Sequence, residues 1–156
     1  MGRRPITEED PCSSHILIPT DGSDLSRKAI LYGVQLAKES GAKVTGLTVT
    51  EPYQTAGMDT VFVPVDLGDY EEQSRILSEK AIDQVKMAAQ AAGVSCETIR
   101  EVNDQPYRAI IDVAQALGCD LIVMASHGRR GISALLLGSE TAKVLTHSTI
   151  PVLVYR

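Results

Sequence analysis

The sequence predicts an α/β fold: a single doubly wound, parallel, five-stranded sheet of Rossmann-like type, in the order 3-2-1-4-5, with helices on both faces. Two observations carry that prediction. Short apolar runs that end in turn residues alternate along the chain with segments of helical periodicity, and strands alternating with helices give a parallel sheet with right-handed crossovers. The run "LIVMA" at residues 121–125 is apolar throughout, as expected of a central parallel strand covered on both faces. A length of 156 residues suits one domain with a full hydrophobic core.

The elements follow in order. "HILIP" at residues 15–19 is an apolar run closed by turn residues and reads as a buried strand. The next segment places Leu25, Ala29, Tyr32, Leu36 and Ala37 at helical spacing, with Ser23 or Asp24 able to cap its start and Gly41 its end. Residues 43–50 give the second strand. A long helix from residue 71 is expected to turn Ile76, Leu77, Ala81, Val85, Ala88 and Ala92 inward, and its acidic start suits the helix dipole. "VSCETIREV" is the third strand, and "QPYRAIIDVAQALG" the third helix, with Pro106 in its first turn. Residues 119–126, 139–148 and 150–156 supply the fourth strand, the fourth helix and the last strand. Two stretches stand outside this alternation. Residues 1–13 read as a polar, flexible arm ahead of the domain at 14–156, and they lack the apolar core of a secretory signal. Residues 52–70 show no clear period, and so long a connection reads as a surface excursion or as a lid or partner-binding segment.

Composition narrows the function classes. Only 4% of the residues are aromatic, with one Phe and no Trp, so base-stacking platforms for single-stranded nucleic acid are scarce. The formal net charge of −5 gives no footprint for DNA or for an anionic membrane. No apolar run approaches the ~18 residues of a membrane span. Cys12, Cys96 and Cys119 form no pairwise motif, which reads as a reduced, cytoplasmic thiol set.

One stretch asks for a chemical reading. "SHGRRGISALLLGSETAKVL" at residues 126–145 follows the fourth predicted strand and opens the fourth helix. Strand, glycine-rich loop and helix N-terminus together bind phosphates, because free backbone N–H groups point at the ligand and the helix dipole favours negative charge. Gly138 permits a close approach, Ser139 can cap the helix or donate to a phosphate oxygen, and Thr141 lies in the same turn. Arg129 and Arg130 could neutralise phosphate charge. The same residues also fit a plain loop with a capping serine and solvated arginines. Neither a Walker loop nor the G-x-G-x-x-G fingerprint is present. In doubly wound sheets, ligands bind beyond the carboxyl ends of the strands where strand order reverses. Here those ends are Pro19-Thr20-Asp21, Val49-Thr50 and Met124-Ala125-Ser126. Asp21 can accept from a ribose hydroxyl or an adenine amine, or it can close an Asx-turn or cap the helix. His127 can touch a phosphate or stabilise its turn. His15 and His147 read as structural or exposed, Cys119 as an inert buried thiol, and Lys143 as solvated.

Over residues 14–156 the chain resembles the universal stress protein family. "ILIPTDGSDLSRKAI" is similar to the family's opening strand and helix, and "DLIVMASHGRRGISALLLGSETAKVLTHSTIPVLVYR" to its closing half. The family's nucleotide-binding branch carries G-x2-G-x9-G-[S/T]. Gly128 and Gly138-Ser139 match it, and Ala125 stands at the first glycine. The resemblance implies ATP in the cleft. Pro19, Thr20 and Asp21 would contact the adenosine, and the backbone of Val49 the adenine edge. Met124, Ala125 and Gly128 would line the site. Gly138, Ser139, Glu140 and Thr141 would cradle the phosphates, which would carry Mg or Mn. It also implies a homodimer through the strand Val152–Tyr155, whose pairing would cover an apolar sheet edge. The expected function is an ATP-binding regulatory or signalling dimer in stress response, acting on an unspecified protein partner. Little or no hydrolysis is expected, since no general base is evident. The alternatives are a slow ATPase or phosphoryl- or adenylyl-transferring enzyme, and a dimeric interaction module that does not bind nucleotide.

Overall fold

The computed structural model describes residues 13–52, 66–129 and 137–156. The expected arm up to residue 12, most of the 52–70 excursion, and Arg130 with Gly131 lie outside the described residues. Within them the chain runs β1 (His15–Pro19), α1 (Asp24–Ser40), β2 (Lys43–Thr50), α2 (Leu67–Ala92), β3 (Cys96–Val102), α3 (Pro106–Ala116), β4 (Leu121–Ala125), α4 (Ser139–His147) and β5 (Val152–Tyr155). The strands form one sheet in the order β3-β2-β1-β4-β5, and every neighbouring pair is parallel, as the sequence predicts.

Alternation along each strand divides the core in two. Ile16 and Ile18 of β1 join Val34 and Ala37 of α1 and Val85 and Ala89 of α2 on one face. Leu17, between them, points the other way, to Ile110 and Ala114 of α3 and Val144 of α4. β1 is buried along its whole length, which explains the apolar run that follows His15.

Local signals set most helix ends. The Ser23 hydroxyl accepts from the Ser26 N–H at 3.2 Å and caps α1, and Gly41, at φ 70°, closes it in the left-handed conformation. The inner faces differ from the sequence expectation. α1 buries Ser26, Ala29, Ile30, Gly33, Val34 and Ala37, a stripe of mostly small residues, while Tyr32 is exposed and meets Tyr155 of β5 in a tilted ring pair with centroids 5.7 Å apart. In α2, Ala81, Ile82, Val85 and Ala89 are buried, but Ile76 and Leu77 are exposed. The first half of α2 borders a cavity instead of lying flat on the sheet, and Leu77 lines that cavity.

A polar network closes the amino edge of the sheet. Asp120 accepts from the Ser13 hydroxyl, from the N–H and hydroxyl of Ser14, each at 2.7 Å, and from the His15 N–H at 3.2 Å. Ser13, which the sequence places in the arm, is therefore buried and tied to the domain. His15 is buried as well. Its Nδ1 lies 3.2 Å from the Leu117 carbonyl, which can only accept, so Nδ1 carries the proton and Nε2 accepts from the Thr45 hydroxyl at 2.8 Å. Burial, and next the nearby Lys43 charge, hold this imidazole below its ordinary pKa and favour the neutral form. Cys119 sits just ahead of β4, with burial the main cause of a thiol pKa pushed up to about 11.

Candidate functional site

Because β1 and β4 are neighbours while the chain winds outward from each, strand order reverses between them. A cavity of about 520 Å³ opens there, within the ~300–1,000 Å³ range of small-molecule sites. Each residue that the family resemblance assigns to the nucleotide site borders it. Pro19, Thr20 and Asp21 come from the end of β1, and Val49 from the end of β2. Met124, Ala125 and Gly128 come from β4 and its following loop, and Gly138, Ser139, Glu140 and Thr141 from the start of α4. His127 and Arg129 border it too. Helices α2 and α3 supply further walls that no sequence pattern marks, through Tyr70, Ser74, Leu77 and Ser78 and through Pro106 and Ile110. Both helices reach the cavity through tertiary packing, which has no local signature.

Asp21 organises one side. Its Oδ1 accepts from the Ser23 N–H at 2.9 Å and the Ser26 hydroxyl at 2.8 Å, which is an Asx-turn leading into α1. Its Oδ2 accepts from the Arg129 N–H at 2.7 Å and so ties the loop after β4 to the end of β1. Burial pushes this carboxyl's pKa up. The hydrogen bonds from Ser23, Ser26 and Arg129 outweigh burial and hold the pKa below its ordinary value. Gly128 sits against the same carboxylate, and a Cβ there would collide with Oδ2.

The start of α4 forms the opposite side. Gly138, not Ser139, occupies the N-cap, and no side chain caps this helix. The Gly138 N–H donates to the Ser126 carbonyl at 2.7 Å, and a Cβ on Gly138 would lie 3.1 Å from the His127 Cα. The glycine thus lets α4 begin hard against the end of β4. Thr141 is buried, and its hydroxyl donates to the Ala125 carbonyl at 2.9 Å, so its backbone N–H is what it can offer a ligand. The N–H groups of Ser139, Glu140 and Thr141 have no backbone acceptor among the described residues.

Glu140 has two partners that sequence alone does not reveal. Its Oε2 accepts from the Tyr107 N–H at 2.9 Å, and its Oε1 from Lys143 Nζ at 2.9 Å. α3 begins at Pro106 behind Gln105, which makes no side-chain cap bond, so Glu140 caps α3 from the neighbouring helix. Lys143 Nζ also lies 5.5 Å from the Tyr107 ring centroid. Lys143 is exposed to solvent, as the sequence reading has it, and is also paired with Glu140.

This arrangement suits an anionic, partly apolar ligand. Uncapped N–H groups stand at one end, and Leu47, Val49, Met124 and Ile110 supply apolar wall. Among the described residues no cluster of three or more His, Cys, Asp or Glu could hold a metal ion. No described helix is long and apolar enough to cross a membrane.

Comparison with known proteins gives consistent relatives. The model of the universal stress protein family matches residues 13–156. Universal stress protein YxiE of Bacillus subtilis is 38% identical over 146 residues, covering 90% of this chain and 97% of its own length. Universal stress protein MJ0531 of Methanocaldococcus jannaschii is 34% identical over 144 residues, covering 90% of this chain and 81% of its own length. Among solved structures, a universal stress protein in complex with cAMP superposes with a TM-score of 0.67 at 27% identity, covering 92% of this chain and 97% of that one.

Proposed function

Since this chain belongs to the universal stress protein family, we propose that its cleft holds ATP and that occupancy of the cleft regulates a cytoplasmic stress-response homodimer, with little or no hydrolysis. The observation that carries this reading is the bare N-terminus of α4. Gly138 caps it without a side chain, and the N–H groups of Ser139, Glu140 and Thr141 face no backbone acceptor among the described residues. A helix start of this kind at the end of a cavity at the strand-order reversal is suited to phosphate. A related structure that contains cAMP supports an adenine nucleotide as the ligand.

The residues then take distinct roles. Ser139, Glu140 and Thr141 donate backbone N–H groups to the phosphates, and the Ser139 hydroxyl adds a further donor. Pro19 and Thr20 border the nucleoside, and Met124 and Val49 supply its apolar contact. Asp21 holds the loop at Gly128 and Arg129 in place. Mg or Mn would be carried by phosphates and water. In the proposed dimer, β5 pairs with its copy. Among the described strands β5 pairs only β4, and its Val152, Leu153, Val154 and Tyr155 are all half-buried.

Calorimetric titration of nucleotide-stripped protein with Mg-ATP tests this reading. One nucleotide per chain is expected. Gly138→Asp should abolish binding, and Gly138→Ala, which adds only the Cβ, should weaken it less. Full binding by Gly138→Asp would move the ligand elsewhere. No binding by the parent would leave the dimeric interaction module as the reading.

A further inference from the structure

A carboxylate at the start of a phosphate-binding helix is a puzzle, and its geometry gives it a role. Glu140 stands in the first turn of α4, lines the cavity, and keeps 36% of its side chain exposed. It is not free to swing. The Tyr107 N–H fixes one oxygen and Lys143 Nζ the other, each at 2.9 Å. We infer that Glu140, clamped between Tyr107 and Lys143 beside the uncapped N–H groups of α4, selects nucleotides by charge. It disfavours metal-free polyphosphates relative to nucleotides of lower charge or with their charge covered by a divalent cation. This inference rests on the proposed nucleotide reading of the cleft.

The physics is a competition within one turn. The backbone N–H groups and the helix dipole attract any phosphate. The fixed carboxylate repels each uncompensated phosphate charge, and the Lys143 ammonium, 2.9 Å from Oε1, offsets part of that repulsion. The attraction acts mainly on the oxygens that touch the N–H groups. The repulsion grows with the total charge of the ligand. The net effect therefore separates metal-free ATP from AMP and from Mg-ATP, although all three offer phosphate oxygens to the same helix start. For a partly solvated pair, the penalty amounts to about threefold in affinity for each extra negative charge.

The test is calorimetric titration of the full chain at fixed ionic strength with AMP, ADP, Mg-ATP and ATP in EDTA. Glu140→Gln keeps an acceptor for the Tyr107 N–H and removes the charge. It should raise affinity most for metal-free ATP, less for ADP, and least for AMP and Mg-ATP. Lys143→Met, which leaves the carboxylate uncompensated, should shift the same series in the opposite sense. An equal factor for all four ligands in Glu140→Gln would overturn the inference and make Glu140 a purely positional residue. A loss for all four would do the same. If the parent binds none of the four, the nucleotide reading itself falls and this inference falls with it, a result distinct from a uniform factor.

Discussion

The carboxylate of Asp21 accepts the backbone N–H of Arg129 at 2.7 Å, joining positions 108 residues apart. This bond fixes the loop after β4 against the end of β1, and both border the cavity. Asp21 spends its charge on holding its own loops, through Ser23, Ser26 and Arg129. Its local motif left an Asx-turn and a nucleotide contact equally open. The structure realises the turn and adds the tie to Arg129, which no local pattern encodes.

Gly128→Ala should disturb this contact directly, because the new Cβ collides with the Asp21 carboxylate. Overpacking of this kind costs about 1–3 kcal/mol. At roughly 2–4 °C per kcal/mol for a domain of this size, the melting temperature should fall by several degrees. A melting curve that superposes on the parent would mean that the loop can move aside at no cost.

Asp21→Asn should remove a charged acceptor of three hydrogen bonds and lower stability by about 1.5–3 kcal/mol at neutral pH. The sign of its pH dependence follows from the depressed pKa. The folded state binds the proton less readily than the unfolded state. The stabilisation is therefore complete above the ordinary value of about 3.9 and is lost as pH falls through the lower folded value. Asp120, also held low by hydrogen bonds that outweigh its burial, titrates in the same region and remains in the variant. Denaturant unfolding of both proteins as a function of pH should show a gap that closes on acidification. A gap that stays constant would show that Asp21 is not held ionised by these bonds.

His15 should produce a second, higher pH window. Its folded pKa lies below the ordinary value of about 6.5, so its contribution is full above that pH and declines as pH falls towards the folded value. The stability lead of the parent over His15→Gln should shrink between about pH 7 and pH 5. Asp21 and Asp120, both held low, lie below this window. A lead that widens on acidification would contradict the neutral tautomer bonded to Leu117 and Thr45.

Glu140→Ala should strip α3 of its cap, with a loss of about 1 kcal/mol and a drop of roughly 2–4 °C in melting temperature. Glu140→Gln should recover most of that loss, because an amide oxygen can still accept the Tyr107 N–H. Equal melting temperatures for parent and Glu140→Ala would show that the Tyr107 bond adds nothing to stability.

The nine described elements were legible because the central strands β1 and β4 are bounded apolar runs and each helix carries a period. What escaped the sequence has one common cause. At α1, the bulk of Tyr32 outweighed Ser26 and Gly33 in a hydrophobic pattern, yet close packing on the sheet favours the small residues. At α2, Leu77 continues the stripe of Ala81 and Val85, and only the position of the sheet edge leaves it at the cavity. At α4, Ser139 has the chemistry of a cap, but the close contact with His127 puts Gly138 in that position. The Glu140 bond to Tyr107 spans 33 positions and could not be read from either segment. The residues that the resemblance assigns to the site all border the cavity, whereas the direction of each side chain depends on distant partners.

The most direct measurement is the melting temperature of nucleotide-stripped protein with and without Mg-ATP. Ligand at ~100 times its dissociation constant should add about 2.7 kcal/mol, or several degrees at roughly 2–4 °C per kcal/mol. The parent should show that shift, and Gly138→Asp should lose it. An unshifted parent under saturating nucleotide would contradict it, and the bare N-terminus of α4 would then be only the start of a helix.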